Sequence, residues 1–235
     1  MNLLGDRLEH RMVGMREVGN DIATAPRTPL ASVGAGLERA VAAGDGVEGQ
    51  KAAMSRAVDD LDQCLSIITA LLRIAELENS RRTEGFAEVS LGELVEDVFD
   101  LYEPIAEMEG KRLLKHPQST VVQVWGDRHL LIEMLANLVD NAIKFTPEGG
   151  SITLDFGSAP GCAMLMVTDT GVGIAPEERQ VVLSRFYRSD KSRHVPGSGL
   201  GLSLVSAIAH LHEASVSIET GTHGVGTCFR IVFPT

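Results

Sequence analysis

The chain has 235 residues, a formal net charge of −11 at pH 7 and a hydrophobic content of 44%. This length fits one or two ordinary domains, and the acidic balance argues against a partner with a phosphate backbone, such as a nucleic acid. The apolar residues are dispersed, without the ~18-residue run that a membrane-spanning helix needs, and the first twelve residues do not resemble a secretory signal. We therefore expect two domains in the cytoplasm, with no nucleic-acid partner and no membrane contact by this fragment.

The first third of the chain predicts a helical hairpin. Residues 9–77 are rich in Ala, Leu, Arg and Glu, which favours long helices, and the glycine-rich stretch 43–49 (AGDGVEG) predicts the turn between two of them. The second helix has apolar residues at alternating spacings of four and three, which is typical of a coiled-coil seam: Met54, Val58, Leu61, Leu65, Ile68, Leu72 and Ala75. The first helix carries a matching stripe: Val18, Ile22, Leu30, Val33, Leu37 and Val41.

Two such hairpins side by side would bury both stripes. The sequence therefore predicts a homodimer through a four-helix bundle. The alternative is a single hairpin packed against the second domain, but a lone hairpin of this length would leave one side of the stripe in water. We favour the dimer.

A second domain is predicted after the polar stretch 79–88, which lacks helical periodicity. The domain limits are accordingly 1–80 and 86–235. Ser90 and Glu93 form a capping box that predicts a helix to about Glu109, with Gly110 at its end. The pattern then predicts strands at 121–125, 151–156, 163–168, 215–219 and 227–233, and helices at 128–145 and 200–212. The predicted fold class is α+β, with the hairpin followed by an α/β sandwich.

One helix of this second domain carries a polar stripe. Asn137, Asn141 and Lys144 stand at positions i, i+4 and i+7, so they share one helix face. Amide oxygens are hard neutral ligands that suit Mg²⁺, and an ammonium group is a phosphate partner. The stripe alone could be a solvated helix face, but its chemistry suits a metal-bound triphosphate.

Two glycine-rich motifs follow the polar stripe. Residues 169–174 (DTGVGI) come after a predicted strand, and the Asp169 carboxylate could accept a hydrogen bond from an exocyclic amine. Residues 197–202 (GSGLGL) open a helix, where free backbone N–H groups can bind an anion. A dinucleotide-binding loop is disfavoured because that motif follows the first strand of a βαβ unit, whereas this one lies near the C-terminus.

The order of these motifs resembles the sensor histidine kinases of the GHKL ATPase superfamily. The segments NLVDNAIKFT, DTGVGI, RFYRSDKSR, GSGLGL and GVGT occur in the family's order, and the N-terminal hairpin resembles its dimerisation and phosphotransfer domain. The resemblance covers almost the whole chain. It implies a GHKL-type ATP-binding sandwich, ATP and Mg²⁺ as ligands, transfer of the γ-phosphoryl group to a histidine, and a response-regulator receiver domain as partner. It also implies that the fragment could be the intracellular part of a membrane-bound sensor.

The resemblance also implies roles for individual residues. Asn141 would hold Mg²⁺, Asn137 would lie near the phosphates, and Lys144 would contact a phosphate. Phe145 would lie beside the base, and Asp169 would hold the adenine amino group. Arg188 would reach the γ-phosphate, next to Phe186, which would anchor a mobile lid. The remaining implied ATP-binding residues are Gly171, Gly173, Gly199, Leu200, Gly201, Leu202 and Thr227.

The acceptor motif departs from the family pattern. That pattern is His-Asp/Glu-x-x-Thr/Asn-Pro-Leu, and alignment on residues 27–30 (RTPL) puts Thr24 at the histidine position and Ala25 at the acid. A hydroxyl without a neighbouring base is a weak nucleophile, so autophosphorylation at Thr24 is not expected. Thr28 keeps the position that helps to place water in the phosphatase reaction.

The sequence leaves two hypotheses open. The first is a histidine kinase homologue with an intact ATP-binding domain. The second is an ATP-binding pseudokinase scaffold that regulates a partner kinase or response regulator without phosphotransfer, which the replacement at 24–26 favours. A gyrase-like ATPase is disfavoured, because those enzymes use a glutamate base four residues before the metal-binding asparagine, where this chain has Asn137.

Overall fold

The computed structural model describes residues 47–79, 85–116, 120–189, 195 and 197–234. The predicted first hairpin helix, with Thr24 and Thr28, lies outside the described residues. The chain divides into two compact units, residues 1–76 and 77–235. No helix in the described ranges is both long and apolar enough to cross a bilayer.

A single long helix, α1 (Val47–Asn79), accounts for the described part of the first unit. It begins inside the predicted turn, so residues 47–49 are helical and that part of the turn prediction was wrong. The reason is that Gly49 is the only poor helix former among these three residues, and one glycine costs a helix only ~1 kcal/mol. The prediction of a long second hairpin helix is confirmed.

Helix α1 has two apolar rows. One row is buried: Cys64, Ile67, Leu71 and Ile74. The other coincides with the predicted seam, and five of its residues are 42–66% exposed: Met54, Val58, Leu61, Leu65 and Leu72. Large side chains of this kind in a regular row are the usual mark of a protein–protein contact.

The second unit is an α/β sandwich built from seven strands and three helices among the described residues. Its elements are β1 (Ala87–Ser90), α2 (Leu91–Met108), β2 (Arg112–Lys115), β3 (Gln123–Gly126), α3 (Arg128–Phe145), β4 (Ser151–Ala159), β5 (Cys162–Asp169), α4 (Gly201–Leu211), β6 (Ser215–Thr220) and β7 (Thr227–Pro234). A short 3₁₀ turn, Thr222–Gly224, joins the last two strands.

The main sheet has the strand order β2-β4-β5-β7-β6. Strand β2 runs parallel to β4, and the other neighbours are antiparallel. Burial alternates along β4 and β5, so one face of the sheet is covered by the helices. Strands β1 and β3 form a separate antiparallel pair. This α+β architecture confirms the predicted fold class for the second domain.

Most predicted elements of the second unit are confirmed. Helix α3 has the predicted bounds, and Ser90 is the N-cap of α2, accepting a hydrogen bond from the Glu93 N–H at 3.4 Å. Two strands were not predicted, β1 and β2, each only four residues long. The predicted strand 121–125 begins two residues later than expected, at Gln123. The limits 1–80 and 86–235 stay a prediction.

Candidate nucleotide site

A cavity of about 250 Å³ lies within the second unit. Its wall combines the C-terminal half of α3, the turn after β5, the segment before α4 and the start of β7. The polar or glycine residues that line it are Asn137, Asp140, Asn141, Lys144, Asp169, Gly173, Tyr187, Arg188, Ser189, Gly197, Ser198, Gly199, Gly201 and Thr227. The apolar residues are Ala142, Phe145, Val172, Ile174, Val182, Val195, Leu202 and Phe229. Such a mixture suits a ligand with an apolar body and a polar, charged end.

The polar stripe of α3 forms one side of the cavity. Asn137 donates from Nδ2 to the Glu133 carbonyl at 2.8 Å, which leaves its Oδ1 as the acceptor for a ligand. Lys144 Nζ donates to Asp140 Oδ2 at 2.5 Å. Asp140 was not predicted, although it stands at i+3 from Asn137 and so on the same helix face. The side therefore offers amides, one ammonium and one carboxylate.

Asp169 forms the opposite, buried side at the end of β5. Its Oδ1 accepts hydrogen bonds from Gly171 N–H at 2.7 Å and from Thr227 N–H at 3.2 Å. These bonds fix the carboxylate and leave Oδ2 as the acceptor available to a ligand. Burial raises the pKa of the Asp169 carboxyl above its ordinary range, while the two backbone N–H groups act in the opposite direction.

Gly226 is required for this arrangement of Asp169. Its φ is +75°, and a Cβ built there would lie 1.9 Å from the Asp169 carbonyl oxygen and 2.8 Å from Oδ1. Any side chain would push the end of β5 away from the turn before β7. Gly226, the second glycine of the GVGT segment, is therefore required for two reasons: the Asp169 backbone lies too close for a Cβ, and the residue has a positive φ.

The RFYR segment is fixed by contacts on both sides. Phe186 has a φ of +60°, which is uncommon outside glycine, and its N–H donates to the Gly199 carbonyl at 3.0 Å. Tyr187 donates from its hydroxyl to Glu178 Oε1 at 2.8 Å, and Arg188 donates to the Val195 carbonyl at 2.5 Å. The segment thereby brings an aromatic ring and a guanidinium to the cavity wall.

The donor chemistry fits magnesium better than a transition metal. In the part of the chain that the structure describes, no group of three or more His, Cys, Asp or Glu side chains could hold a metal ion. Magnesium needs no such group, because it usually takes one or two protein oxygens together with water and phosphate oxygens. The amides of Asn141 and Asn137 and the carboxylate of Asp140 supply hard oxygens on one helix face.

Comparison with known proteins identifies the domain that contains the cavity. Residues 126–235 match the family of histidine kinase-, DNA gyrase B- and HSP90-like ATPases. The chain is 33% identical over 236 residues to the sensor protein kinase PmrB of Pseudomonas aeruginosa, a match that covers 100% of this chain and 48% of that protein. The chain belongs to the sensor histidine kinases. It spans about half the length of the curated relatives that it matches.

Solved histidine kinases share this fold. Full-length ShkA in complex with AMPPNP superposes with a TM-score of 0.68 at 26% identity, covering 92% of this chain and 45% of ShkA. The complex of the histidine kinase ThkA with the response regulator protein TrrA gives a TM-score of 0.74 at 23% identity, covering 100% of this chain and 67% of that one. At that identity the likeness to ThkA concerns the fold alone.

The structure brings most of the predicted site residues of the histidine kinase domain to one cavity. Eleven of the predicted residues line it: Asn137, Asn141, Lys144, Phe145, Asp169, Gly173, Arg188, Gly199, Gly201, Leu202 and Thr227. Two of the predicted ATP-binding residues do not line it: Leu200 is 1% exposed and packs in the core, and Gly171 donates its N–H to Asp169 Oδ1. Thr24 and Thr28 lie outside the described residues. The roles of all these residues in binding stay predictions.

Proposed function

We propose that this chain binds Mg–ATP in the cavity and is the core of a two-component sensor histidine kinase. The observation that carries the proposal is the convergence of three separate motifs on one cavity: the amides of α3, the Asp169 carboxylate and the glycine-rich start of α4. The family is an ATPase family, and ShkA was solved with AMPPNP. In such a kinase, the γ-phosphoryl group of ATP would pass to a histidine and then to a response regulator.

The geometry supports an orientation for the nucleotide. The free Oδ2 of Asp169 would accept from the adenine amino group, with apolar residues such as Ile174 and Val182 around the base. The triphosphate would then extend towards Asn137, Asn141 and Lys144. Backbone N–H groups at the start of α4 favour negative charge there, and the Arg188 guanidinium at the cavity wall would stabilise charge on the transferring group.

Magnesium would be held by Asn141, with Asn137 beside it. When bound, the metal would neutralise charge that develops on the phosphate oxygens. The chain's own contribution is to hold the amide oxygens on one rigid helix face, because both residues lie within the last three turns of α3.

Removing the proposed metal ligand gives a direct test of this assignment. We expect Asn141→Ala to remove most of the gain in ATP affinity that Mg²⁺ confers, at least about tenfold, which is ~1.4 kcal/mol. Calorimetric titrations with and without Mg²⁺ measure that gain. His129→Ala is the matched control, since His129 is on the same helix with a side chain 93% exposed, and it should keep the full gain. An unchanged Mg²⁺ gain in Asn141→Ala would remove this residue from the metal site.

Homodimerisation through the hairpin is the second part of the proposal. The exposed row of α1 contains five of the seven residues of the predicted seam. A second copy with the same row would bury these side chains against their equivalents, which is the self-complementary contact of a two-fold dimer. Full burial of one leucine contributes ~1.5–3 kcal/mol.

Leu65→Lys is expected to weaken the dimer. Leu65 is 62% exposed in the single chain, and two charged side chains would replace two leucines in the seam, so we expect a loss of ~3–6 kcal/mol, or about 10²- to 10⁴-fold. Ser66→Lys, one position along on an exposed side, is the matched control. Sedimentation equilibrium should give about twice 25.2 kDa for the wild type and the control. A monomeric wild type would contradict the dimer.

The pseudokinase scaffold is the second candidate function, and the replacement of the acceptor motif by Thr24, Ala25 and Pro26 favours it. Both candidates share nucleotide binding and dimerisation. They differ in phosphotransfer, so incubation with γ-labelled ATP separates them. Acid-labile label on the chain indicates phosphohistidine, acid-stable label indicates a hydroxyl ester, and nucleotide binding without label indicates a scaffold.

A further inference from the structure

His212 has a defined protonation state in the second unit. It follows α4 and is 5% exposed. Its Nε2 accepts from the Asp127 N–H at 3.0 Å, and its Nδ1 lies 2.8 Å from the Ile208 carbonyl oxygen. Because a carbonyl only accepts, Nδ1 must carry a proton; because an N–H only donates, Nε2 must not. Both bonds therefore require the neutral Nδ1–H tautomer.

Three further pieces of chain meet at this imidazole. The ring stacks on Phe86 with centroids 4.7 Å apart and an interplanar angle of 16°. Gly126 lies so close that a Cβ there would be 2.6 Å from His212 Cδ2. Asp127 is the N-cap of α3 and accepts from the N–H groups of His129 and Leu130. The cluster thus joins the residues before β1, the end of β3, the start of α3 and the end of α4.

The two helices joined here also meet at the cavity. A Cβ on Gly201, the first residue of α4, would lie 3.0 Å from Asn137 Oδ1. Helix α4 has eleven residues, so its two ends are separated by ~15 Å of helix rise. The α3–α4 pair is therefore fixed at two points, one at the cavity wall and one at His212.

We propose that His212 is a positioning residue: in its neutral form, the imidazole fixes helix α4 relative to helix α3. It thereby fixes the glycine-rich start of α4 relative to Asn137 at the cavity. This inference rests on the proposed nucleotide function. Protonation would place a second donor at Nε2, facing the Asp127 N–H, and the bond between the two helices would be lost. Nucleotide binding then weakens in acid for a reason that lies outside the cavity.

The electrostatic surroundings support the neutral form. Burial lowers the pKa of His212 below its ordinary value, and this outweighs the Ile208 carbonyl and the Asp127 carboxylate, which both act to raise it. Among the other charged or titratable residues on these elements, Arg128 is paired with Asp97, and His210 and Glu213 are exposed. His129 is also exposed, and its Nδ1 lies 3.8 Å from Asp127 Oδ1.

The sign of the pH effect follows from the lowered pKa. The unfolded chain binds a proton near pH 6.5, whereas the folded chain does so only at lower pH. The contribution of His212 to folding is therefore complete above about pH 6.5 and is lost as the pH falls from there through the pKa of the folded state. The same protonation opposes the ordered helix pair, so nucleotide affinity should fall over the same window.

The experiment compares Mg–AMPPNP affinity at pH 7.5 and pH 5.5 in three proteins. His212→Gln keeps a carbonyl that can accept from the Asp127 N–H but cannot become charged. His210→Gln, on the last turn of the same helix, is the matched control. Dividing each dissociation constant by that of His212→Gln at the same pH removes the protonation of the nucleotide itself.

We expect the wild type and His210→Gln to bind as tightly as His212→Gln does at pH 7.5. At pH 5.5 we expect both to bind more weakly than His212→Gln, with a loss that grows as the pH falls further. His212→Ala should bind about tenfold more weakly at pH 7.5. Nitrogen-15 NMR of His212 should show the neutral Nδ1–H tautomer at pH 7.5. If His212→Ala does not fold, the role of His212 is still tested by the ratio of dissociation constants and by the nitrogen-15 NMR spectrum.

Two failures are distinguishable. A wild type that does not bind Mg–AMPPNP at pH 7.5 contradicts the proposed function. The role of His212 alone is overturned if the wild type binds Mg–AMPPNP but the ratio of its dissociation constant to that of His212→Gln is the same at both pH values. A proton on His212 Nε2 at pH 7.5 would overturn it as well.

Discussion

Asp169→Asn is expected to abolish adenine nucleotide binding without destabilising the fold. The Gly171 and Thr227 N–H groups both donate to Oδ1, so the asparagine carbonyl should take that position and its NH₂ group should take the position of Oδ2. A donor would then face the adenine amino group, which is also a donor. Loss of a charged hydrogen bond, together with an unpaired buried amine, corresponds to ~3–6 kcal/mol, or about 10²- to 10⁴-fold in affinity.

The same substitution should leave the ligand-free domain as stable as the wild type or more so. Burial raises the pKa of Asp169, so the fold disfavours the ionised carboxylate, and that cost appears as the pH rises through the raised pKa. Asparagine has no charge to bury. Thermal unfolding at pH 7 without nucleotide measures this, and Asp155→Asn on the neighbouring strand provides the same charge change away from the cavity. A variant that still binds ATP like the wild type would refute the role of Asp169.

Thr24→His combined with Ala25→Asp is expected to give the chain an acid-labile phosphoryl label. The substitutions restore the family's acceptor pattern ahead of Thr28. In that pattern the imidazole nitrogen attacks the γ-phosphorus, the bond to the β–γ bridging oxygen breaks with ADP as the leaving group, and the carboxylate accepts the imidazole proton. A positioned general base contributes about 10²- to 10⁴-fold, so labelling with γ-labelled ATP should rise at least ~10²-fold over the wild type.

The control for that experiment is the same pair of substitutions in the Asp169→Asn background, which should remain unlabelled because ATP is not bound. Thr24→Ala with Ala25→Asp introduces the acid without the imidazole, so it shows whether the label depends on the imidazole. A restored acceptor that stays unlabelled, in a chain that binds Mg–ATP, would favour the scaffold over the kinase.

The elements that the sequence predicted correctly carry strong periodic or capping signals. Helix α3 has an aspartate N-cap and a long amphipathic pattern, and β5 alternates strictly between buried and half-exposed residues. Strands β1 and β2 were missed although β3, which also has four residues, was predicted. Strand β1 overlaps the polar stretch 79–88, and the apolar residues of β2 (RLLK) are adjacent rather than alternating. Strand β2 owes its place to a partner far along the chain, since Arg112 pairs with Ser151.

The candidate site was predictable where motif residues themselves line the cavity. Asp140 was missed although the spacing places it between Asn137 and Asn141 on the same face. Tyr187 was missed because its place depends on the hydrogen bond to Glu178, nine residues earlier, which no local pattern encodes. Leu200 was assigned to the ligand by its place in a motif, whereas its side chain is core.

The role of His212 was not predictable from the sequence. The imidazole is buried as expected of packing, but its partners at positions 86, 126 and 127 are more than eighty residues away. Contacts of that kind depend on the complete fold. A lone histidine at a helix end gives no sign of them.

The cavity between α3, Asp169 and α4 is proposed to be an adenine nucleotide site, and both candidate functions and the role of His212 depend on it. The most direct measurement is calorimetric titration of the chain with ATP and with GTP in the presence of Mg²⁺. We expect one ATP bound per chain and no measurable binding of GTP. The Asp169 carboxylate would accept a hydrogen bond from the adenine amino group, whereas guanine has a carbonyl oxygen at that position, which is also an acceptor. Absence of ATP binding, or equal affinity for the two nucleotides, would contradict the account.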